Sequence, residues 1–247
     1  DDDNGGSDTN ILVAVDTVNG YVYGVSIPRD SKAIIDGKAR KINYAYNKGG
    51  TELLADTVSE QLGIPVDYTV SVNLKGFTAL VDAIGGVWFE VPFDMDYDDP
   101  TPGQDLHIHQ KAGLRLLSGD DAMQVIRWRK NDKDSPYGYN KGGVGDAGRM
   151  ELQQNFLKAV IKQMMQPKNV LNIGKIAKVF EESVETDLSF QNILWFGKQA
   201  FSGGLSMDDV NFMTMPYKGA AAYSRAYSKQ LGKDFYLEYV VPIPGKL

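Results

Sequence analysis

The chain has no cysteine, two histidines and only seven arginines among its 247 residues. The missing cysteine excludes disulfide scaffolds, Cys-ligated zinc, iron–sulfur clusters and thiol nucleophiles together. No stretch reaches the ~18 consecutive apolar residues of a membrane-spanning helix. No charged leader with an apolar run opens the chain either. It begins Asp1-Asp2-Asp3-Asn4-Gly5-Gly6 and reads as a flexible start over residues 1–7. A net charge of −6 leaves no broad positive face, so no nucleic-acid partner is expected.

What is present is the composition of a globular domain, 43% apolar and 23% charged, with a skew on each side of the charge balance. Of 26 basic residues 19 are Lys, so each Arg stands where Lys is the default. Three of the seven Arg fall between 127 and 149. Among the acids 24 are Asp and eight Glu, a bias toward loops, caps and metal ligation over helix faces.

Residues 10–16 and 21–27 are β-branched and aromatic runs joined through Asn19-Gly20, the strongest short hairpin signal. Pro28 stops the second strand and puts Arg29-Asp30 in a loop at its end. Helical spacing recurs over Thr51–Leu62, and Lys75–Ile84 is a second helix closed by Gly85-Gly86. Strands are expected over Tyr68–Asn73 and Val87–Val91. Asp94–Asp105 is acidic and contains Pro and Gly, which reads as a surface loop. Ser118 caps a helix to about Arg127. Residues 131–146 form a long Gly-rich loop, read as a flap over a site. A long helix over 147–165 follows, then helices Val170–Phe180 and Phe190–Phe201 and strands Val210–Met215 and Phe235–Val241. The alternation predicts one α/β domain over 1–247, layered α-β-α, with a central mixed or antiparallel sheet flanked by helices.

The arginines carry the chemistry. Arg127-Trp128-Arg129-Lys130 ends one helix, and Arg149 and Gln153 lie one turn apart at the start of the next. A guanidinium fork matches phosphate oxygens bidentately, and a helix N-terminus adds N–H donors and positive dipole. Spacing alone leaves open that these arginines pair with surface Asp. Arg29, fixed after Pro28, is placed to reach a cleft at the sheet edge, with a loop ion pair as the alternative. Asp8, beside Gly5-Gly6-Ser7, can ligate Mg²⁺ or sit in an ordinary turn. His107-x-His109 puts two imidazoles on one strand face, with no third ligand at a suitable spacing, so a structural role is expected. Asp94, Asp96, Asp98 and Asp99 lack the Gly and Glu of an EF-hand loop.

In order along the chain, Ser7-Asp8-Thr9, Ser26-Ile27-Pro28-Arg29-Asp30, Lys41-Ile42-Asn43, Val81-Asp82-Ala83-Ile84-Gly85-Gly86-Val87, Leu117-Ser118-Gly119-Asp120-Asp121-Ala122, Arg127-Trp128-Arg129-Lys130 and Asp146-Ala147-Gly148-Arg149 resemble the LytR–CpsA–Psr family. The resemblance covers residues 7 to about 166. It implies a membrane-anchored domain outside the cell, the anchor lying beyond this chain. The expected location is the outer face of the cytoplasmic membrane or the wall of a Gram-positive bacterium. The implied activity transfers a glycopolymer, such as teichoic acid or capsular polysaccharide, from a polyprenyl pyrophosphate carrier to peptidoglycan through a phosphodiester bond. Hydrolysis of the pyrophosphate, or binding without turnover, are the alternatives.

By the resemblance, Arg29, Arg127, Arg129 and Arg149 bind pyrophosphate, Gln153 contacts the head group and Asp146 is catalytic; Lys41 and Asn43 either touch the head group or pin the loop at the helix start, and Asp30 is a further substrate-binding candidate. Asp8 is implied as a ligand of Mg²⁺ or Mn²⁺. The family's second metal-linked Asp matches Asp1, Asp2 or Asp3 or is absent, and many members carry a further Arg where Leu152 stands. Phe77, Leu80, Val81, Ile84, Phe156, Val160, Ile161, Met164 and Met165 are apolar material for either a lipid tunnel or a core.

Overall fold

The computed structural model describes residues 7–99, 106–138, 144–202, 205–228 and 233–243. Among them the chain runs β1 (Asn10–Asp16), β2 (Tyr21–Ile27), β3 (Lys32–Ile35), β4 (Lys38–Lys41), α1 (Asn43–Leu62), β5 (Val70–Ser71), α2 (Leu74–Ala83), β6 (Val87–Val91), β7 (Met95–Asp99), β8 (Leu106–Gln110) and β9 (Gly113–Leu117). It continues through α3 (Gly119–Arg127), α4 (Gly145–Met164), α5 (Pro167–Leu171), α6 (Ile173–Ser183), β10 (Glu185–Thr186), α7 (Phe190–Ser202), β11 (Val210–Thr214), β12 (Tyr217–Ser228) and β13 (Lys233–Pro242). The fold is mixed α/β, as the alternation predicts. Its ladders hold three strands at most among the described residues.

The chain groups into two compact units. One gathers the residues up to Ala14, Gly24–Thr69 and Phe212 onward. Its core is Ile27, Ala33, Ile35, Ile42, Ala45, Val58 and Met215, with Leu12, Val25, Leu53 and Leu54 packed around it. The β3–β4 hairpin, absent from the sequence reading, turns at Asp36 (φ 51°) and Gly37 (φ 69°). Two successive positive φ values are what a two-residue primed turn requires, and Asp-Gly supplies them. Helix α1 breaks at Gly49–Gly50, where Gly50 has φ 65° and ψ −155°. The helical run expected from Thr51 is the part beyond that break. β12 and β13 pair antiparallel, β12 being unforeseen, and Tyr239 on β13 donates its hydroxyl to the Ala39 carbonyl at 3.2 Å.

The other unit holds Val15–Tyr23 and Val70–Asn211. Val81, Ile84, Phe89, Phe156, Val125 and Trp128 are among its buried core, and the rings of Phe77 and Phe89 lie 5.7 and 5.4 Å from that of Phe156. Of the tunnel-or-core candidates, Val81, Ile84 and Phe156 are therefore core, and Phe77, Val160 and Met164 pack against it. Leu152 is buried in the same cluster.

Three expectations change in this unit. Asp94–Asp105 is not simply a loop, because Met95–Asp99 forms β7 and pairs antiparallel with β8. Alternation explains it: Met95 is buried against the core while Asp96 and Asp98 face away, opposite His109 and His107. Pairing thus overrides the poor strand propensity of Asp. Residues 100–105 lie outside the described residues. The strand expected over Tyr68–Asn73 shrinks to β5, because Asn73 caps α2 by accepting from the Gly76 N–H. The helix expected over Val170–Phe180 divides into α5 and α6 at Asn172. Ser118 caps α3 in a full capping box with Asp121.

Candidate active site

In the first unit, the turn after β2 is held from every side. Ser31 N–H donates to the Pro28 carbonyl at 2.9 Å, Asn43 N–H to the Arg29 carbonyl at 3.3 Å, and Val240 N–H to the Asp30 carbonyl at 3.0 Å. A backbone so fixed presents its side chains from a rigid base. Arg29 pairs with Asp8, and Lys41 pairs with Asp30 at 2.8 Å. The structure thus brings together Arg29, Asp8, Asp30, Lys41 and the backbone of Asn43. The Arg29–Asp8 pair is partly exposed, a setting in which ion pairs contribute about 0–1 kcal/mol. A phosphate group can therefore replace Asp8 on Arg29 at small cost.

The second unit holds the other arginines. Trp128 leaves α3 in an extended conformation and is fully buried, its ring 4.6 Å from that of Phe93. Its indole N–H donates to Asn131 Oδ1 at 3.0 Å. Arg127 and Arg129 flank this anchor. The Arg129 carbonyl accepts from the Val144 N–H at 3.2 Å, which brings Arg129 to the start of α4. There Asp146, in the first turn, lies 3.3 Å from Arg149 and 4.0 Å from Arg129. Arg149 is nearly buried, and the exposed Asp146 carboxylate is the group that bridges the two guanidinium ions. Gln153, one turn beyond, donates to the Ile126 carbonyl at 3.4 Å and ties α4 to the last turn of α3.

This arrangement has a direct chemical reading. Two guanidinium forks at a helix N-terminus hold one carboxylate, and an anion with more oxygens and more charge is a stronger partner for the same forks. Asp8 is a single hard oxygen donor, half exposed. That suits Mg²⁺ in its usual mode of one or two carboxylates with phosphate oxygens and water. Asp1, Asp2 and Asp3 lie outside the described residues, as do residues 139–143 of the loop read as a flap.

Asn131 was missed in the sequence. It is buried, accepts from the Asp96 N–H at 2.9 Å as well as from Trp128, and donates to the Asp94 and Gly138 carbonyls. No local pattern marks it, since besides Trp128 its partners are Asp94, Asp96 on β7 and Gly138. With Phe93, Asp94, Trp128, Tyr137 and Gly138 it lines a cavity of about 400 Å³.

The family model described as LytR_cpsA_psr matches residues 1–236. The chain belongs to this family. It is 35% identical over 203 residues to the polyisoprenyl-teichoic acid–peptidoglycan teichoic acid transferase TagV of Bacillus subtilis, covering 81% of this chain and 49% of the relative. It is 37% identical over 191 residues to TagU of Halalkalibacterium halodurans, a transferase of the same printed name, covering 76% and 57%. The chain thus spans about half the length of these curated relatives. The crystal structure of B. subtilis TagV superposes with a TM-score of 0.73 at 30% identity, over 97% of this chain and 84% of that one. The LytR-Csp2A-Psr enzyme of Actinomyces oris shares the fold at a TM-score of 0.73 and 18% identity, over 97% and 82%.

Proposed function

We propose that this chain is the catalytic domain of a glycopolymer phosphotransferase, moving teichoic acid or a related wall polymer from a polyprenyl pyrophosphate carrier to peptidoglycan at the outer face of the cytoplasmic membrane. The observation that carries the reading is the Asp146 carboxylate shared by Arg129 and Arg149 at the start of α4. Family membership and the printed activity of TagU and TagV support it.

In this reading Arg29, Arg127, Arg129 and Arg149 neutralise the pyrophosphate, with Lys41, Asn43, Asp30 and Gln153 as further head-group contacts. Displaced from the arginines by the donor, Asp146 is released to accept a proton. A peptidoglycan sugar hydroxyl attacks the phosphorus that bears the glycopolymer and gives its proton to Asp146. The bond from that phosphorus to the bridging oxygen breaks, and polyprenyl phosphate leaves with the electron pair. One phosphodiester forms and one phosphoanhydride is lost. Such transfer is chiefly positioning and charge neutralisation, the work for which arginine forks are suited. Asp8 would hold Mg²⁺ or Mn²⁺, which when bound supplies further neutralisation of phosphate charge.

The purified chain, given a polyprenyl pyrophosphate-linked oligosaccharide and a soluble peptidoglycan fragment, is expected to yield a phosphodiester-linked product by mass spectrometry. Release of free sugar phosphate alone, whether or not acceptor is present, would assign a hydrolase instead.

A further inference from the structure

We propose that Asp98, His107 and His109, on the β7–β8 ribbon, bind one divalent transition-metal ion of the zinc class, with Asp96 orienting His109. The ribbon's register pairs Asp96 with His109 and Asp98 with His107. Because side chains alternate along a strand, all four groups stand on one face. The third ligand that the His-x-His spacing lacks thus comes from the neighbouring strand. Among the described residues, Asp98, His107 and His109 are the one group of three whose ligand atoms lie within 4.8 Å of one another.

The contacts are specific. His109 Nδ1 lies 2.9 Å from Asp96 Oδ1, and His109 Nε2 lies 3.4 Å from Asp98 Oδ1. The Asp96 carboxylate only accepts, so a neutral His109 ring carries its proton on Nδ1 and turns the Nε2 lone pair toward a second carboxylate. Two acceptors facing each other call for a cation between them, either a proton or a metal ion. Tetrahedral Zn²⁺ with bonds of about 2.0–2.1 Å spaces its ligand atoms about 3.4 Å apart, the separation of His109 Nε2 from Asp98 Oδ1, whereas His107 Nδ1, 2.5 Å from that oxygen, draws back to admit the ion. His107 Nδ1 contacts the same Asp98 oxygen. On metal entry its ring carries the proton on Nε2, and Nδ1 becomes the third ligand. Histidine held by a carboxylate on its far nitrogen is the usual outer arrangement of such sites. Two imidazoles select a borderline transition ion over Mg²⁺ or Ca²⁺, and three protein ligands leave a position for water.

The ribbon is built to hold this geometry without the ion. Asp96 N–H donates to Asn131, Asp132 N–H donates to the Asp96 carbonyl at 2.9 Å, and Asp98 N–H donates to the Asp132 carboxylate at 2.8 Å. A bound ion would cross-link β7 to β8 and stiffen the strand that seats Asn131 and Asp132, which follow Arg129 closely in the chain.

The test is equilibrium dialysis of untagged protein against ZnCl₂ in excess MgCl₂, with thermal melting followed in parallel. One Zn²⁺ per chain is expected, with a raised melting temperature. The double variant His107→Gln/His109→Gln is expected to lose both effects. Its half-exposed positions allow the fold to persist, checked by circular dichroism. Asp96→Asn is expected to weaken Zn²⁺ binding by about 10- to 100-fold, the usual effect of removing such a carboxylate. No binding at 100-fold excess Zn²⁺ over protein, or equal binding by wild type and the double variant, would overturn the proposal.

Discussion

The Asp146 carboxylate lies 3.3 Å from the Arg149 guanidinium, one turn along the same helix. Arg149 is nearly buried and Asp146 is largely exposed, so the pair keeps a cation oriented while the anion stays displaceable. Asp146→Asn removes the competing charge and the proposed proton acceptor together. Inorganic pyrophosphate should bind the variant more tightly by calorimetry, while turnover falls by about 10²- to 10⁴-fold, the range of general-base loss. Weaker pyrophosphate binding would show that Asp146 positions the arginines and does not compete for them.

Arg29 pairs with Asp8 where solvent screens both. Arg29→Ala should leave the unfolding free energy from urea denaturation unchanged to within about 1 kcal/mol. Transfer should fall by about 10²-fold or more, as for loss of one charge-stabilising donor. A comparable loss of stability and activity would mark Arg29 as a structural residue.

Asn131 holds the segment after Arg129 from inside the protein. Asn131→Ala leaves the Trp128 indole N–H and the Asp96 N–H without their acceptor. The expected cost is about 2–6 kcal/mol in denaturant unfolding, from one buried and one partly buried donor at about 1–3 kcal/mol each. Asn131→Asp keeps the acceptor but sets a buried carboxylate oxygen against the Asp94 and Gly138 carbonyls, so it should not recover that loss.

The capping box of α3 has a pH signature. Burial pushes the Asp121 carboxyl up, but hydrogen bonds from Gln110 and Ser118 outweigh it, so its pKa lies below the ordinary 3.8. A carboxyl depressed on folding stabilises above its unfolded pKa, and the gain is lost as pH falls through the folded value. Asp121→Asn should therefore be less stable than wild type at pH 6. The gap should close below about pH 3.8, the ordinary carboxyl value. A gap that does not change with pH anywhere below 3.8 would assign the effect to shape and not to charge.

Where a signal is local, the sequence sufficed. Asn19-Gly20 places β1 and β2 on the expected residues, and Ser118 begins α3 as read. Asp36-Gly37 carries the same kind of turn signal, yet its flanks Lys32–Ile35 and Lys38–Lys41 are short and rich in Lys, so they lack the strand composition that drew attention to the first hairpin. β7 was hidden because Asp disfavours strands, and only the pairing with His107 and His109 makes its alternation meaningful. The third partner of the histidine pair was illegible for a related reason: Asp98 reaches it across a strand register, which spacing along one segment does not encode. The arginines were legible as a set because their scarcity made them stand out. That Asp146 would bridge Arg129 and Arg149 depended on Val144 folding back to the Arg129 carbonyl, a contact that no local pattern announces.

The arginines at the start of α4 are proposed to bind the pyrophosphate of the donor. Phosphodiester formation between a polyprenyl pyrophosphate-linked donor and a peptidoglycan fragment, measured for wild type, Arg149→Ala and Arg149→Lys with melting curves alongside, tests it most directly. A loss of about 10²- to 10³-fold is expected for Arg149→Ala, with the fold retained. Only partial recovery is expected for Arg149→Lys, which restores the charge without the fork. Transfer by a folded Arg149→Ala at the wild-type rate would contradict the proposed role.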